Sequence, residues 1–229
     1  MKPNYLTFSP TFGELAWTAS PSDALLSVQL AYLAHISKAW GDELLDCRQG
    51  FTRISLYWKS PDGQRRFSEE LSSLELPVLP LSNRIWEIPV YYSPEFGTDL
   101  SSLAQQKNRT ETELIQLHSQ ALYRIHFFGF LPGFFYLNGL DPSLHTPRKS
   151  FPSARVPKGS VAIGGSQTGI YPKESPGGWH LLGQTPLSLF NSKQEPPVWG
   201  TAGERIKFVP IDLSQFRDWK AEQPSLYQP

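Results

Sequence analysis

The stretch GFLPGFFYLNGLDP (residues 129–142), continued two residues later by HTPRKSFPSARVPKGSVAIGGSQTGIYPKESPGGWHLLGQTPLSLF (145–190), decides the fold. Between residues 129 and 203 lie ten of the 21 prolines and 12 of the 17 glycines, which predicts short strands separated by tight turns. This pattern is typical of a β-barrel or a β-sandwich. The strand candidates are YRIHFFGF (123–130), GSVAIGG (159–165), WHLLGQ (179–184) and RIKFVPI (205–211).

Positive charge is concentrated in the same stretch. From residue 142 to residue 173 there are five Lys and Arg side chains and no Asp or Glu, in a chain whose formal net charge is zero. Such segregation favours a local anion site over a uniformly basic surface. A solvated basic face on a proline-rich loop is the alternative. The five cations are Arg148, Lys149, Arg155, Lys158 and Lys173.

Arg148 and Arg155 are the first candidates for ligand contact, with Lys158 as a nearby point charge. A guanidinium group offers a planar fork to carboxylate or phosphate oxygens, which an ammonium group does not. Flanking prolines stiffen the backbone and reduce the ordering cost of binding. The alternative is that these are surface side chains without a partner.

The glycine-rich segment GGSQTG (164–169) fits neither phosphate-binding motif. Ile170 and Tyr171 stand where a Walker loop needs Lys and Ser or Thr, and Ser166 occupies the middle glycine of the dinucleotide fingerprint. The backbone at Gly165 and the Gln167 amide are nevertheless candidates for holding an anion in a nest of N–H groups. A tight turn between two strands is the alternative.

Three further residues are candidates for ligand contact. The turn made by residues 176–178 predicts Ser175 and Trp179 at a cavity wall. Ser175 lacks an evident general base, which favours a turn or hydrogen-bonding role over a nucleophile. His126 shares a predicted strand face with Arg124 and is either a ligand contact or a satisfied structural histidine. We assign no catalytic residue.

The first part of the chain predicts a small α+β domain. Helices are expected over residues 21–39 and near residues 67–74, with strands near 13–18, at 53–58 and at IWEIPV (85–90). The order β-α-β-β-α-β fits a ferredoxin-like domain. The proline-containing segment 74–83 is a linker candidate, so we expect a first domain over 1–88 and a barrel over 89–229.

Composition excludes several other classes. The formal net charge of zero argues against nucleic-acid binding, and no apolar run is long enough to span a membrane. The five histidines lack metal-ligand spacing and Cys47 is the single cysteine, so we expect neither a metal nor a disulfide. Cys47 is better explained as a half-buried hydrophobe than as a nucleophile. We expect a cytoplasmic protein.

Several motifs together resemble one known family. The chain is similar to the allophanate hydrolase subunit 1 type, which includes the B subunit of the prokaryotic 5-oxoprolinase and the sporulation-kinase inhibitor KipI. These motifs extend over most of residues 87–211. They are EIPVYYSPEFGTDL (87–100), GFLPGFFYL (129–137), TPR (146–148), RVPKGSVAI (155–163), QTGIYP (167–172), SPGGWHLLGQTPLSLF (175–190) and GERIKFVPI (203–211).

The resemblance implies a cyclophilin-like β-barrel after the small first domain and activity only within a complex. In that family the B subunit pairs with the C subunit, and with the A subunit this pair opens 5-oxo-L-proline to L-glutamate at the expense of ATP. The pair is similar to the two halves of the carboxyltransferase region of urea carboxylase. Since no Walker motif is present, we expect ATP to be shared with the partner subunits and a small anionic substrate to be bound.

Two other functions stay open. A KipI-type protein would hold a sensor histidine kinase inactive, and a lone cyclophilin-like module would bind proline-containing segments. Prolyl isomerase activity is disfavoured because the arginine and aromatic motif of that family is not recognisable in this chain. Adjacent genes for the A and C subunits would favour the enzyme, and a neighbouring kinase gene would favour the inhibitor.

Overall fold

A computed structural model of the chain describes residues 1–221 and 223–227. It divides into two compact units, Met1–Leu81 and Ser82–Pro229. The observed division therefore precedes the expected boundary at residue 88, which falls inside a strand of the second unit.

The first unit packs two helices on one face of a four-stranded antiparallel sheet. Alternating apolar residues on the strands pack against the helices, and the buried aromatic side chains include Trp58 and Phe67. The strand order is β1-β2-β4-β3. The elements are β1 (Asn4–Ser9), β2 (Phe12–Ala16), α1 (Asp23–Trp40), β3 (Leu44–Gln49), β4 (Arg53–Trp58) and α2 (Pro61–Leu71).

Both helices begin at serine caps. The Ser22 side chain accepts a hydrogen bond from the Leu25 backbone N–H, and Ser60 accepts one from Gly63. The prediction of the first helix is confirmed to within two residues. The second helix begins six residues earlier than predicted, because Ser60 and the following proline form its N-terminus.

The second unit contains most of the strands. Most of the prolines and glycines noted above lie in its connections, between short strands. Its elements are β5 (Ile85–Val90), α3 (Leu100–Gln106), α4 (Glu111–Gln120), β6 (Leu122–Phe128), β7 (Phe135–Asn138), β8 (Ser153–Val156), β9 (Ser160–Gly164), β10 (Gln167–Ile170), β11 (Ser175–Gly177), β12 (His180–Gln184), β13 (Arg205–Pro210), α5 (Leu213–Asp218) and β14 (Ser225–Leu226).

Seven of these strands close into a barrel. Their order is β12-β9-β10-β7-β6-β13-β5. Strand β14 pairs with the first half of β5, on the edge opposite to β13. Two hydrogen bonds close the ring: Tyr91 N–H donates to Gln184 O over 2.9 Å, and Gln184 N–H donates to Tyr91 O over 3.0 Å. Strands β8 and β11 form a separate two-stranded ribbon. The expectation of an α+β protein with a β-barrel is therefore confirmed.

The assignment of IWEIPV to the first domain is wrong. This segment is β5, which pairs in parallel with β13 across six residue pairs and so belongs to the barrel. The fourth strand of the first sheet is instead β1, which forms a hairpin with β2. The sequence of β1 alternates poorly because most of its residues are exposed, and for this reason the pattern did not reveal it.

Strand β6 also departs from its predicted alternation. A bulge lies at His126, since Ile125 pairs with Leu137 while Phe127 pairs with Tyr136. Beyond the bulge, the alternation between residues that face the core and residues that face outward is shifted by one position. Phe128, rather than Phe127, therefore packs with Ile125 against the barrel core.

A chain of buried hydrogen bonds crosses the barrel interior. Tyr92 Oη lies 2.7 Å from His118 Nδ1, and His118 Nε2 lies 2.9 Å from Thr168 Oγ1. Because Thr168 donates its proton to Ala162 O, it accepts from Nε2–H, and His118 Nδ1 accepts from the Tyr92 hydroxyl. Burial lowers the pKa of His118 to about 3, so this histidine is neutral.

Helix α4 begins with a capping box, with hydrogen bonds in both directions between Thr110 and Glu113. Asp99 stands at the N-cap of α3, but its carboxylate is used elsewhere, as described below. Within the described residues, the helices are too short or too polar to cross a membrane.

Candidate functional site

A cavity of about 230 Å³ with aromatic walls opens on the barrel unit. It is smaller than the roughly 300–1,000 Å³ of sites for drug-sized ligands, which suits a molecule with one small ring. Its lining combines residues of the 130–136 segment, the loop after residue 146, the residue that follows β10, strand β11 and the β11–β12 connection. The lining residues are Phe130, Phe134, Tyr136, Arg148, Pro152, Tyr171, Pro176, Gly177, Gly178 and Trp179.

Trp179 forms the buried wall of this cavity and lies against a floor of small residues. A Cβ atom added at Gly164 would lie 2.5 Å from Cδ1 of the Trp179 ring, and one added at Gly169 would lie 3.2 Å from Cζ3. The Phe134 ring meets the indole edge-on at 5.5 Å between centroids. The two glycines therefore let the indole lie directly on strands β9 and β10.

Arg148 supplies the positive charge of the cavity. Its Cζ lies 5.8 Å from the centroid of a Trp179 ring, a cation–π distance. Among residues 1–221 and 223–227, no carboxylate lies within ion-pair distance of this guanidinium group. An unneutralised guanidinium beside aromatic walls attracts a carboxylate or another small anion.

The loop that carries Arg148 is fixed on both sides of this residue. Thr146 exchanges two backbone hydrogen bonds with Gly165, and the Lys149 N–H donates to Gly178 O over 2.8 Å. Lys149 Nζ lies 2.5 Å from Asp99 Oδ2, and both side chains are only 18% exposed. Asp99 Oδ2 also accepts from the Leu181 N–H at the start of β12. This buried ion pair ties the loop to α3 and the barrel.

Two tyrosine hydroxyls bring polar atoms into the aromatic cavity. Burial raises the pKa of Tyr136 and of Tyr171, and in each the charge of Arg148 acts in the opposite direction. The nearby backbone of Trp179 also lowers the pKa of Tyr171. A Cβ at Gly177 would lie 2.3 Å from Tyr171 Oη, so this hydroxyl needs a glycine beside it.

Phe130 stands at the rim of the cavity. Its side chain is 59% exposed and its φ is +68°, in the left-handed region that is unusual for a residue with a side chain. Its ring meets those of Phe134 and Tyr171 edge-on, at 5.6 and 6.4 Å between centroids. The strained backbone therefore holds an aromatic ring over the entrance.

Arg155 and Lys158 lie outside this cavity. Arg155 Nε lies 2.6 Å from Glu174 Oε2 in an ion pair on the β8–β11 ribbon, and its side chain is 78% exposed. Lys158 Nζ donates to Ser188 Oγ over 3.3 Å. The structure does not bring these two cations to Arg148.

The GGSQTG segment forms the β9–β10 hairpin. Gly165 has a φ of +65°, and its N–H donates to Thr146 O over 2.6 Å, so that donor is used within the fold. Gln167 pairs with Gly164 at the start of β10. This segment is therefore a tight turn between two strands, which was the alternative interpretation. Neither Gly165 nor Gln167 lines the aromatic cavity.

Ser175 and His126 are also away from the cavity lining. The Ser175 Oγ is buried in β11 and has no hydrogen-bond partner among the described residues. His126 is fully buried at the bulge in β6. Of the ligand-contact candidates predicted from the sequence, Arg148 and Trp179 line the cavity.

Phe130, Tyr136 and Tyr171 line the cavity but were not predicted from the sequence. The run FLPGFFY and the motif QTGIYP contain them, but periodicity alone did not separate cavity walls from core. The small residues at 164, 169 and 177 are the signal that indicates close packing of large rings.

Cys47 is not part of a reactive site. Burial, with the neighbouring Asp46 charge, raises the pKa of its thiol to about 11. It is therefore a thiol at neutral pH rather than a nucleophilic thiolate.

The sheet-and-helix unit and the closed barrel are those of a two-unit chain of the carboxyltransferase type. The chain belongs to the family described as "Carboxyltransferase domain, subdomain C and D", whose model matches residues 7–200.

Two curated relatives agree with this assignment. A 5-oxoprolinase B subunit from Bacillus subtilis (strain 168) is 33% identical over 86% of this chain and 90% of its own. Another, from Haemophilus influenzae, is 48% identical over 59% of this chain and 63% of its own, so this match spans less than two thirds of that relative.

A solved structure supports the fold. The urea amidolyase of K. lactis superposes with a TM-score of 0.76, covering 93% of this chain and 15% of that much longer one. The sequences are 14% identical, so this likeness concerns the fold alone.

Proposed function

We propose that this chain is the B-type subunit of a 5-oxoprolinase complex, in which it helps to hydrolyse 5-oxo-L-proline to L-glutamate with cleavage of ATP. The relatives named as 5-oxoprolinase B subunits support the assignment to such a complex. The observation that carries the substrate assignment is the cavity, where aromatic walls surround the guanidinium of Arg148.

The chemistry of 5-oxo-L-proline matches this lining. The molecule has one flat five-membered ring and one carboxylate. The ring would pack against the Trp179 and Phe134 faces, and the carboxylate would pair with Arg148. Since Arg148 has no carboxylate partner of its own among the described residues, ligand binding would not have to break an existing ion pair.

The hydrolysis needs more than this chain. A lactam amide is a poor electrophile, and phosphorylation of its oxygen by ATP, with ADP as the leaving group, activates the carbon toward water. After water adds, the C–N bond breaks as the nitrogen takes up a proton, and a second water hydrolyses the resulting acyl phosphate to L-glutamate and phosphate. Transferred phosphoryl groups need cationic and metal stabilisation. The sequence has no Walker motif, so we assign the nucleotide site to a shared surface or to the partner A and C subunits.

The test is co-expression of this chain with candidate A and C subunits, followed by measurement of 5-oxoproline-dependent ADP release. We expect activity from the three chains together and a loss of at least tenfold when this chain is omitted. Undiminished activity from the A and C subunits alone would contradict the proposal. A proline-for-oxoproline control detects ATP hydrolysis that is unrelated to the lactam.

A further inference from the structure

The polar atoms of the cavity separate into two kinds. Arg148 carries a full positive charge at the cavity surface, whereas Tyr171 is a neutral phenol that is almost completely buried. A ligand with both an anionic group and a neutral hydrogen-bond acceptor could use each of them. Tyr171 is therefore a second candidate for ligand recognition beside Arg148.

The hydroxyl of Tyr171 lies in close contact with Gly177. A Cβ added at Gly177 would be 2.3 Å from its oxygen. Gly177 and Trp179 both line the cavity, so the hydroxyl lies at the cavity wall. In the described part of the chain no group accepts the hydroxyl proton, which is therefore available to a ligand.

Tyr171 remains a donor at neutral pH. Burial raises the pKa of its hydroxyl, and neighbouring Tyr136 acts in the same direction, although the Trp179 backbone and the charge of Arg148 lower it. A protonated phenol donates to a carbonyl oxygen and does not repel it. Arg148, Tyr136 and Tyr171 all line this cavity.

We infer that Tyr171 is a specificity-determining residue that donates its hydroxyl proton to the carbonyl oxygen of a cyclic amide whose carboxylate is bound by Arg148. This inference rests on the proposed function. It extends that function by assigning the two oxygen-bearing groups of the substrate to two different side chains. A buried donor left unpaired would penalise a ligand without the carbonyl.

The test combines two variants of the full chain with three ligands. Tyr171→Phe removes one oxygen without changing the ring, and Arg148→Ala removes the charge. The ligands are 5-oxo-L-proline, 2-pyrrolidinone, which lacks the carboxylate, and cyclopentanecarboxylate, which lacks the amide. Dissociation constants come from ligand-observed NMR titration, and near-UV circular dichroism checks that each variant is folded.

We expect Tyr171→Phe to weaken 5-oxo-L-proline and 2-pyrrolidinone by a similar factor, about three- to tenfold, and to leave cyclopentanecarboxylate unchanged. Arg148→Ala should weaken the two carboxylates and leave 2-pyrrolidinone unchanged. This crossed pattern distinguishes recognition of two groups from a general loss of packing, which would weaken all three ligands.

Two outcomes would overturn the inference in different ways. If 5-oxo-L-proline binds equally well to wild type and Tyr171→Phe, the tyrosine assignment is wrong while the proposed function stands. If 5-oxo-L-proline does not bind to the wild-type chain, this cavity is not its site. The proposed place in the complex then depends on the omission experiment alone.

Discussion

At the scale of single residues, the cavity depends on glycines that accept large rings. Gly177 faces the Tyr171 hydroxyl and Gly164 faces the Trp179 indole, both closer than a Cβ atom tolerates. Arg148 and Trp179 were predicted from the sequence because charge and aromatic character are visible in single letters. Tyr171 was missed because the role of a buried hydroxyl depends on neighbours that are distant in sequence.

We predict that Gly177→Ala lowers the free energy of unfolding by about 1–3 kcal/mol, because the new methyl group overlaps the buried Tyr171 hydroxyl. Gly178→Ala is the matched control, since the nearest atom to its Cβ would be at 3.7 Å. Urea unfolding of both variants measures the difference. Equal stability of the two variants would contradict the predicted close contact.

At the scale of elements, the Asp99–Lys149 ion pair connects the Arg148 loop to the start of α3. The loop has no helix or strand of its own, so hydrogen bonds and this pair determine its position. Asp99 lies at the N-cap position of α3. Its pairing with Lys149 across 50 residues was outside the reach of local patterns.

We predict that Asp99→Ala costs about 1–3 kcal/mol of stability, because Lys149 would keep a largely buried charge without its partner. A double-mutant cycle with Lys149→Ala should show coupling. The exposed pair Arg155–Glu174 is the control and should couple by less than about 1 kcal/mol. Equal coupling in the two pairs would show that Asp99 does not anchor the loop.

At the scale of the whole molecule, the barrel depends on long-range pairing that the sequence did not specify. Glycine and proline spacing predicted short strands and hence a barrel. However, the parallel pairing of β5 with β13 joins segments 120 residues apart, and its register is invisible to periodicity. For the same reason β5 was assigned to the wrong domain.

The KipI-type inhibitor function stays an untested prediction.

The buried hydrogen-bond chain in the barrel predicts a pH dependence of stability. His118 has a folded-state pKa of about 3, below its usual value near 6.5, so the unfolded state binds the extra proton between these limits. Stability is therefore fully present above about pH 6.5 and decreases as the pH falls toward 3. The slope from this group is at most about 1.4 kcal/mol per pH unit.

Urea unfolding at pH 7.5 and pH 5 measures this dependence. His118→Gln keeps an amide that can hydrogen-bond but removes the titration, so its stability should change less between the two pH values than that of the wild type. A difference between wild type and variant that does not depend on pH would contradict the assignment of a neutral buried His118.

We propose that Arg148 binds the carboxylate of the substrate in the aromatic cavity. The most direct test is the KM for 5-oxo-L-proline in the complex of the three subunits, measured for Arg148→Ala and for the control Arg155→Ala. We predict that Arg148→Ala raises KM at least tenfold, since a charge-assisted pair contributes about 1.5–3 kcal/mol, and that Arg155→Ala changes KM less than twofold. An unchanged KM in Arg148→Ala would contradict the claim.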